Sequence, residues 1–202
     1  MSNEQADKKR PYKMKRRAEL EAQTKQRITE SAVELHGSLG PARTSMKAVA
    51  EHAGVPRSTV YRHFADEEAL FGACSAHWGM ENPPPDITGW EKVKDADERL
   101  ATALVELYAY YRRAGGMLDK CLRDEAAVPI VGQLMGAYHQ LMELIVEVLM
   151  RGRGLRGKAR ERTRAAIAHA IAFRTYQQLT EEAGLGDDEA AELMRRLVVA
   201  AA

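Results

Sequence analysis

Six side chains that can exchange hydrogen bonds with nucleobases and phosphates lie within seven positions of the chain: Arg57, Ser58, Thr59, Tyr61, Arg62 and His63. Small hydroxyls, a phenol and long or forked cations can reach base edges in a major groove without holding a helix away from them. Val60 and Phe64 are apolar at positions i and i+4, so we expect them to face inward and leave the polar set exposed. The alternative is an ordinary surface helix with mixed polar residues.

Two short helices joined by a tight turn must position this set. Thr44 or Ser45 can cap the first helix. Its expected buried face is Met46, Val49, Ala50 and Ala53. Gly54 follows where a residue that tolerates positive φ is expected, and Pro56 suits the first turn of the next helix. Residues 44–64 therefore have the build of a helix-turn-helix, which lays its second helix along the edges of DNA bases.

The segment TSMKAVAEHAGVPRSTVYRHF, followed by EEALF, resembles the DNA-binding head of TetR-family transcriptional regulators. The matching features are Gly54-Val55, Ser58-Thr59 ahead of Tyr61, the ending Tyr61 to His63-Phe64, and Glu68-Ala69-Leu70 at the start of the connecting helix. The close match covers about residues 20–75. The remainder agrees with the family only in its length and its number of helices.

The resemblance implies a homodimer that reads a palindromic operator in double-stranded DNA, usually represses, and releases the DNA when a small molecule binds in its body. By matching position, the residues that would face bases or phosphates are Arg57, Ser58, Thr59, Tyr61 and His63. We add Arg62 to this set. Thr44 and Ser45, at the start of the preceding helix, would meet phosphate through hydroxyl and amide groups.

One position departs from the family pattern. A lysine often precedes the glutamate of the connecting helix and binds a phosphate, but this chain has Glu67 there, preceded by Asp66. Carboxylates are favourable at a helix N-terminus, yet they repel a nearby phosphate. Either Arg57, Arg62 and the basic N-terminal segment replace that contact, or the affinity for DNA is modest.

The charge distribution agrees with DNA binding at one end of the chain. Residues 1–64 hold 13 Lys and Arg against 7 Asp and Glu, a net charge of +6, whereas residues 65–202 hold 17 against 22, a net charge of −5. A basic end on an acidic remainder suits a protein that brings only that end to a polyanion. The alternative is a chance scatter of surface charge.

The sequence predicts an all-α fold of about nine helices. We expect a disordered basic tail (1–15), a three-helix DNA-binding head (16–65), and a connecting helix that leads into a helical ligand-binding and dimerisation bundle (66–202). Residues 79–90, with three consecutive prolines, are expected to form a linker. Gly115-Gly116 is expected to end the helix that follows, and one helix is expected over 158–183.

An effector pocket is predicted from aromatic, methionine and polar side chains in the bundle. The candidates are Tyr108, Tyr111, Met117, Met135, Tyr138, His139, Met142, Phe173, Tyr176 and Gln177. Rings provide flat apolar walls and methionines adapt to varied shapes, so the expected effector is apolar or aromatic. For each residue taken singly, core packing is the alternative.

Small residues in the penultimate helix and an apolar seam in the last helix suggest close helix pairing. The resemblance implies that these two helices pair with their copies in a dimer, and the residues predicted to take part are Ala166, Ala170, Leu193, Met194, Leu197 and Val198. The alternative is that these side chains pack within one chain.

Other functions find little support in the sequence. The six histidines are scattered, with His36 and His52 expected on the head's surface, and there is no phosphate loop, nucleophile–base pair or metal-ligand cluster, so we expect no enzyme, no metal and no cofactor. Cys74 and Cys121 stand alone, which fits a reducing cytoplasm, and no membrane span is expected. The alternative function is a ligand-sensing or partner-binding member of the family with weak or lost operator binding.

Overall fold

The computed structural model describes the backbone from Glu4 to Ala202 and the side chains from Met14 onward. This part of the chain holds ten α-helices and no strand, as the predicted all-α class requires. The helices are α1 (Glu4–Ser38), α2 (Met46–His52), α3 (Arg57–His63), α4 (Glu67–Glu81), α5 (Ile87–Glu91), α6 (Ala96–Asp124), α7 (Pro129–Met150), α8 (Gly157–Ala170), α9 (Phe173–Gln177) and α10 (Asp187–Ala200). A 3₁₀ turn (Pro41–Arg43) precedes α2 and a π-helical turn (Gln178–Glu182) follows α9.

The chain divides into two compact units, of which the first ends at Glu81 and the second spans Asn82–Ala202. The sequence predicts that the connecting helix α4 belongs with the bundle from residue 66. In the structure α4 packs on α1 and belongs to the first unit. The reason is its apolar face, since Leu70, Phe71 and Cys74 are buried there.

Helix α1 begins at Glu4, which differs from the expected disordered tail over residues 1–15. The segment is rich in Glu, Gln, Lys and Arg, whose unbranched side chains favour helix. It also extends a helix that is already nucleated, so most added residues cost little, except Pro11, which has no N–H to donate within the helix. The first three residues, and the side chains of the basic segment up to Lys13, lie outside the described part of the structure.

The start of α2, the turn that follows it and the start of α4 agree with the sequence pattern. The Ser45 hydroxyl caps α2 by accepting a hydrogen bond from the Ala48 amide at 3.2 Å. The predicted inner face of α2 is buried, and Gly54 has the expected positive φ of 65°. Asp66 caps α4 by accepting from the Ala69 amide at 2.8 Å.

His36 is buried, although the sequence analysis placed it on the surface of the head. Its ring lies 5.3 Å from that of Phe71, and its Nδ1 lies 3.3 Å from the Cys74 Sγ. Burial lowers the pKa of His36 from 6.5 to about 4. An imidazole that is neutral at pH 7 therefore packs between α1 and α4.

The second unit differs from the prediction at the expected linker and at Gly115-Gly116. The expected linker contains α5, which begins after the Asp86 cap and buries Trp90, whose indole donates a 2.7 Å hydrogen bond to Glu106. Helix α6 continues through Gly115-Gly116 to Asp124 instead of ending there. A Cβ at Gly115 would lie 3.2 Å from the Phe173 ring, so this glycine permits close packing and does not stop the helix.

The helix expected over 158–183 is interrupted after Ala170, where α8 ends. Two tyrosines of α6 satisfy the carbonyls at this break: the Tyr108 hydroxyl donates to Ala170 at 2.8 Å and the Tyr111 hydroxyl donates to Ile171 at 2.6 Å. Carbonyls at a helix end need partners outside the helix. The break is therefore stabilised by residues distant in sequence, which local periodicity does not reveal.

No helix in the described part of the chain is both long and apolar enough to span a membrane.

Candidate DNA-binding surface and ligand cavity

Helix α3 presents a polar face because its apolar residues are held inside the head. Val60 is fully buried and Phe64 is 3% exposed, whereas Arg57, Ser58 and Arg62 are exposed and Tyr61 is 42% exposed. Burying the two apolar side chains fixes the rotation of the helix about its axis. The exposed face then carries two guanidiniums, a hydroxyl and a phenol.

Arg57 and Tyr61 contact each other on this face. The guanidinium donates a 3.0 Å hydrogen bond to the Tyr61 hydroxyl, and its central carbon lies 5.3 Å from the centroid of the ring. The residues are four apart on a helix, which is the spacing at which side chains meet. The contact directs the planar guanidinium and the phenol to one place, where both can donate to acceptors on DNA.

Two members of the predicted set are less accessible. Thr59 and His63 are half-buried. The Nε2 atom of His63 is buried and has no hydrogen-bond partner among the described residues. Lys25 of α1 was not predicted, yet its ammonium lies 5.5 Å from the centroid of the Phe64 ring, where it adds a positive charge at the end of α3. No local sequence signal links Lys25 to that ring.

The hydroxyls before α2 differ in what they can offer to a phosphate. The Thr44 hydroxyl donates its proton to the Gly40 carbonyl at 2.9 Å. Ser45 is exposed and its oxygen accepts from a backbone amide, so its proton stays available for donation. Ser45 is therefore better placed than Thr44 to donate to a phosphate oxygen. Glu67 is exposed at the start of α4, so its charge remains in solvent.

A cavity of about 290 Å³ lies in the second unit, beside α7 and the break between α8 and α9. It is lined by Leu122, Tyr138, His139, Met142, Glu143, Val146, Ala168, Ile171, Ala172, Phe173 and Arg174. Four of the ten predicted pocket residues are in this set: Tyr138, His139, Met142 and Phe173. Of the seven lining residues that were not predicted, four flank the unpredicted break after α8: Ala168, Ile171, Ala172 and Arg174.

The other six predicted pocket residues lie outside the lining. Tyr108, Tyr111 and Tyr176 are buried and pack on one another with ring centroids 5.2–6.3 Å apart. Burial raises the pKa of all three phenols, so they stay neutral. Met135 is buried in the core, Met117 is half-buried, and the Gln177 amide faces Asp119 and Glu181. Tyr111 also packs on Phe173 of the cavity wall, with ring centroids 5.2 Å apart, without lining the cavity itself.

Among the charged lining residues, two have partners outside the cavity. His139 Nε2 lies 2.9 Å from a Glu125 carboxylate oxygen. The Arg164 guanidinium binds Glu143 at 2.9 Å. Within the described part of the chain, Arg174 makes no side-chain hydrogen bond or ion pair.

Known proteins match this chain both within the head and over most of its length. A family model described as "Bacterial regulatory proteins, tetR family" matches residues 28–74. The HTH-type transcriptional repressor Rv3405c of Mycobacterium tuberculosis and the HTH-type transcriptional regulator Mb3439c of Mycobacterium bovis are similar to this chain. Each is 29% identical over 154 residues, which are 72% of this chain and 67% of the relative.

Solved structures show the same fold. A TetR-like transcriptional regulator from Rhodococcus sp. RHA1 has a TM-score of 0.63 at 19% identity, with 87% of this chain and 93% of that chain covered. A TetR transcription regulator from Haloarcula marismortui has a TM-score of 0.56 at 11% identity, with 90% and 97% covered.

The chain belongs to the TetR family of transcriptional regulators. It is a DNA-binding regulator of transcription and not an enzyme. Among the described residues of this TetR-family chain, no group of three or more His, Cys, Asp or Glu side chains could hold a metal ion. Cys74 and Cys121 are both buried and form no disulfide.

The predicted dimer residues of this TetR-family chain separate into two groups. Ala170, Met194 and Val198 are buried within a single chain, because α10 packs on α6 and α8. These three side chains therefore already have packing partners within one chain. Ala166 is half-buried, whereas Leu193 is 38% and Leu197 is 52% exposed on the outer side of α10.

Proposed function

We propose that this chain is a homodimeric repressor that holds a palindromic operator with two copies of α3 and releases it when a small molecule binds in the cavity. The observation that carries the proposal is the exposed Arg57–Tyr61 pair above the buried Val60 and Phe64. A similar protein, 29% identical, is named a transcriptional repressor, which supports repression as the action of this chain.

The base and phosphate contacts are assigned by what each side chain can donate. Arg57 and Tyr61 reach base edges, since a forked cation and a phenol suit acceptors in the major groove. At the edge of this surface, phosphates or bases are contacted by Ser58, Arg62 and Ser45. Smaller contributions to DNA binding come from Thr44, Thr59 and His63. Phosphate contacts position the head, and base contacts select the sequence.

The dimer forms through the outer sides of α8 and α10. Leu193 and Leu197 are exposed at i and i+4 on α10, and the neighbouring helix α8 has the small residues Ala165, which is exposed, and Ala166, which is half-buried. Two exposed leucines beside small residues let helices of a second copy approach closely. Pairing α8 and α10 with their copies gives a four-helix interface in which both leucines are buried, and each buried leucine contributes roughly 1.5–3 kcal/mol.

The cavity binds an apolar or aromatic effector, because Tyr138, Met142 and Phe173 form its walls. The Tyr111 hydroxyl lies 3.4 Å from that of Tyr138 and 3.5 Å from the Met142 Sδ, and it donates to Ile171 at the break after α8. A ligand that moves Tyr138 or Met142 therefore acts on the end of a dimer helix. Only a ligand that binds the two head spacings with different affinity can release the operator.

The protein acts on DNA in the cytoplasm, where a reducing environment agrees with two cysteines that form no disulfide.

The test is a selection of random duplex DNA with the purified protein at moderate salt, followed by sequencing. A palindromic consensus with half-sites about one turn of duplex apart is expected for a dimer with two reading helices. Sequences without enrichment, together with a steep dependence of binding on salt, would show non-specific binding and contradict the proposal.

A further inference from the structure

We propose that the effector carries an anionic group, specifically a carboxylate on a compact apolar or aromatic body, and that Arg174 binds this carboxylate at the cavity. The inference rests on the proposed function, because it names the class of molecule that the cavity takes.

The charges around the cavity point to an anion. His139 contacts Glu125, and Glu143 shares the Arg164 guanidinium with Glu147, so both lining residues have partners outside the cavity. Arg174, which is exposed at the cavity, is the one charged lining residue without a partner in the described part of the chain. A guanidinium presents parallel N–H donors that match the two oxygens of a carboxylate.

The walls determine the rest of the ligand. Leu122, Val146 and Ile171 provide aliphatic surface, and Tyr138 and Phe173 provide rings. The cavity of about 290 Å³ is near the lower end of the range of roughly 300–1,000 Å³ for ligand sites. A body of one or two rings, or a branched chain of similar size, therefore fits better than a long lipid.

The proposal also says how Arg174 acts. It lies on α9, directly after the break whose Ile171 carbonyl accepts from Tyr111. A carboxylate bound to Arg174 joins α9 to a ligand whose apolar body contacts α7 through Tyr138 and Met142. The anionic group thus holds the ligand against the segment that is connected to α8.

Isothermal titration calorimetry on the full chain at pH 7 tests the proposal with three acids and their uncharged amides: benzoate and benzamide, 1-naphthoate and 1-naphthamide, and 4-phenylbutyrate and 4-phenylbutyramide. We expect at least one acid to bind about tenfold more tightly than its amide, as a charge-assisted hydrogen bond provides. Arg174→Gln should remove this preference and Arg174→Lys should keep part of it. Arg113→Gln, which changes an exposed arginine outside the cavity, should not alter it.

Each other outcome overturns the proposal in a distinguishable way. If acids and amides bind equally and Met142→Trp blocks both, the cavity is a ligand site without selection for charge, and the proposed function stands. If an acid is preferred but Arg174→Gln binds it as the parent does, the anion is held elsewhere. If none of the six compounds binds, the anionic class is wrong, whereas operator binding is tested separately by the selection of random duplex DNA.

Discussion

The Tyr111 hydroxyl donates a 2.6 Å hydrogen bond to the Ile171 carbonyl, which lies just after the end of α8. The same hydroxyl lies 3.4 Å from that of Tyr138, which lines the cavity. One phenol of α6 therefore contacts both a wall of the cavity and the break that separates α8 from α9. This relationship links the proposed ligand site to the end of a proposed dimer helix.

Replacing Tyr111 by phenylalanine should weaken that link. The change leaves the buried Ile171 carbonyl unpaired, so the free energy of unfolding should fall by about 1–3 kcal/mol. Release of DNA by a bound ligand should weaken, while operator affinity without ligand stays near the parental value. Urea denaturation and ligand titrations of the operator complex measure the two effects. Tyr110→Phe is the control, since its hydroxyl makes no hydrogen bond within the described residues, and an equal loss there would contradict this role for Tyr111.

Alanine at the two adjacent glycines of α6 should have opposite effects. A Cβ at Gly116 meets nothing within 4 Å, so Gly116→Ala should stabilise the helix by about 0.5–1 kcal/mol. A Cβ at Gly115 meets the Phe173 ring at 3.2 and 3.3 Å, so Gly115→Ala should push the ring and lose that gain. Thermal denaturation compares the two variants. Equal stabilisation in both variants would show that the Phe173 ring can move aside without lowering the stability of the fold.

The stability of the first unit should fall in mild acid because of His36. Its pKa is about 4 in the folded chain and about 6.5 when unfolded, so the unfolded state binds the proton first as pH falls. The stabilisation is fully present above pH 6.5 and is lost between 6.5 and 4, by up to about 3 kcal/mol. Urea denaturation from pH 7 to pH 4 measures the loss. His36→Phe should flatten this dependence and the exposed His52→Gln should keep it, whereas identical slopes in both variants would refute the assignment.

Glutamate at Leu193 and Leu197 should dissociate the dimer. Both side chains are exposed on α10 in a single chain, so the double substitution should leave the fold of each chain intact while it places charge in the interface. Sedimentation equilibrium should show a dimer for the parent and a monomer for the variant, with similar circular dichroism spectra. Val199→Glu changes an exposed residue of the same helix away from this i, i+4 pair and should remain dimeric. A dimeric double variant would place the interface elsewhere.

The head could be predicted from its sequence because its determinants are local. The Ser45 cap, the positive φ at Gly54 and the i, i+4 spacing of Val60 and Phe64 each act within a few residues. Together they determine which side of α3 faces solvent. The half-burial of Thr59 and His63 depends on how α3 packs in the head, which spacing alone does not provide.

The cavity could be predicted only in part because its position depends on distant contacts. Helical periodicity continues across Ile171, yet hydroxyls from Tyr108 and Tyr111 satisfy the carbonyls of a broken helix there. Gly115-Gly116 has the composition of a helix end, but close packing against Phe173 requires a residue without a side chain at Gly115. Residue types therefore predicted an aromatic and methionine-rich region, and tertiary contacts decided which of those residues line the cavity.

The most direct test of the central proposal, that the exposed face of α3 reads DNA, is the affinity of the selected operator for the Arg57→Ala, Tyr61→Ala double variant, measured by fluorescence anisotropy at moderate salt. We expect a loss of at least about 100-fold, because each base contact is worth about 1–3 kcal/mol and a dimer loses the contacts twice. The dimer should persist, and Arg113→Ala should bind as the parent does. Parental affinity in the double variant would contradict the assignment of the Arg57–Tyr61 face.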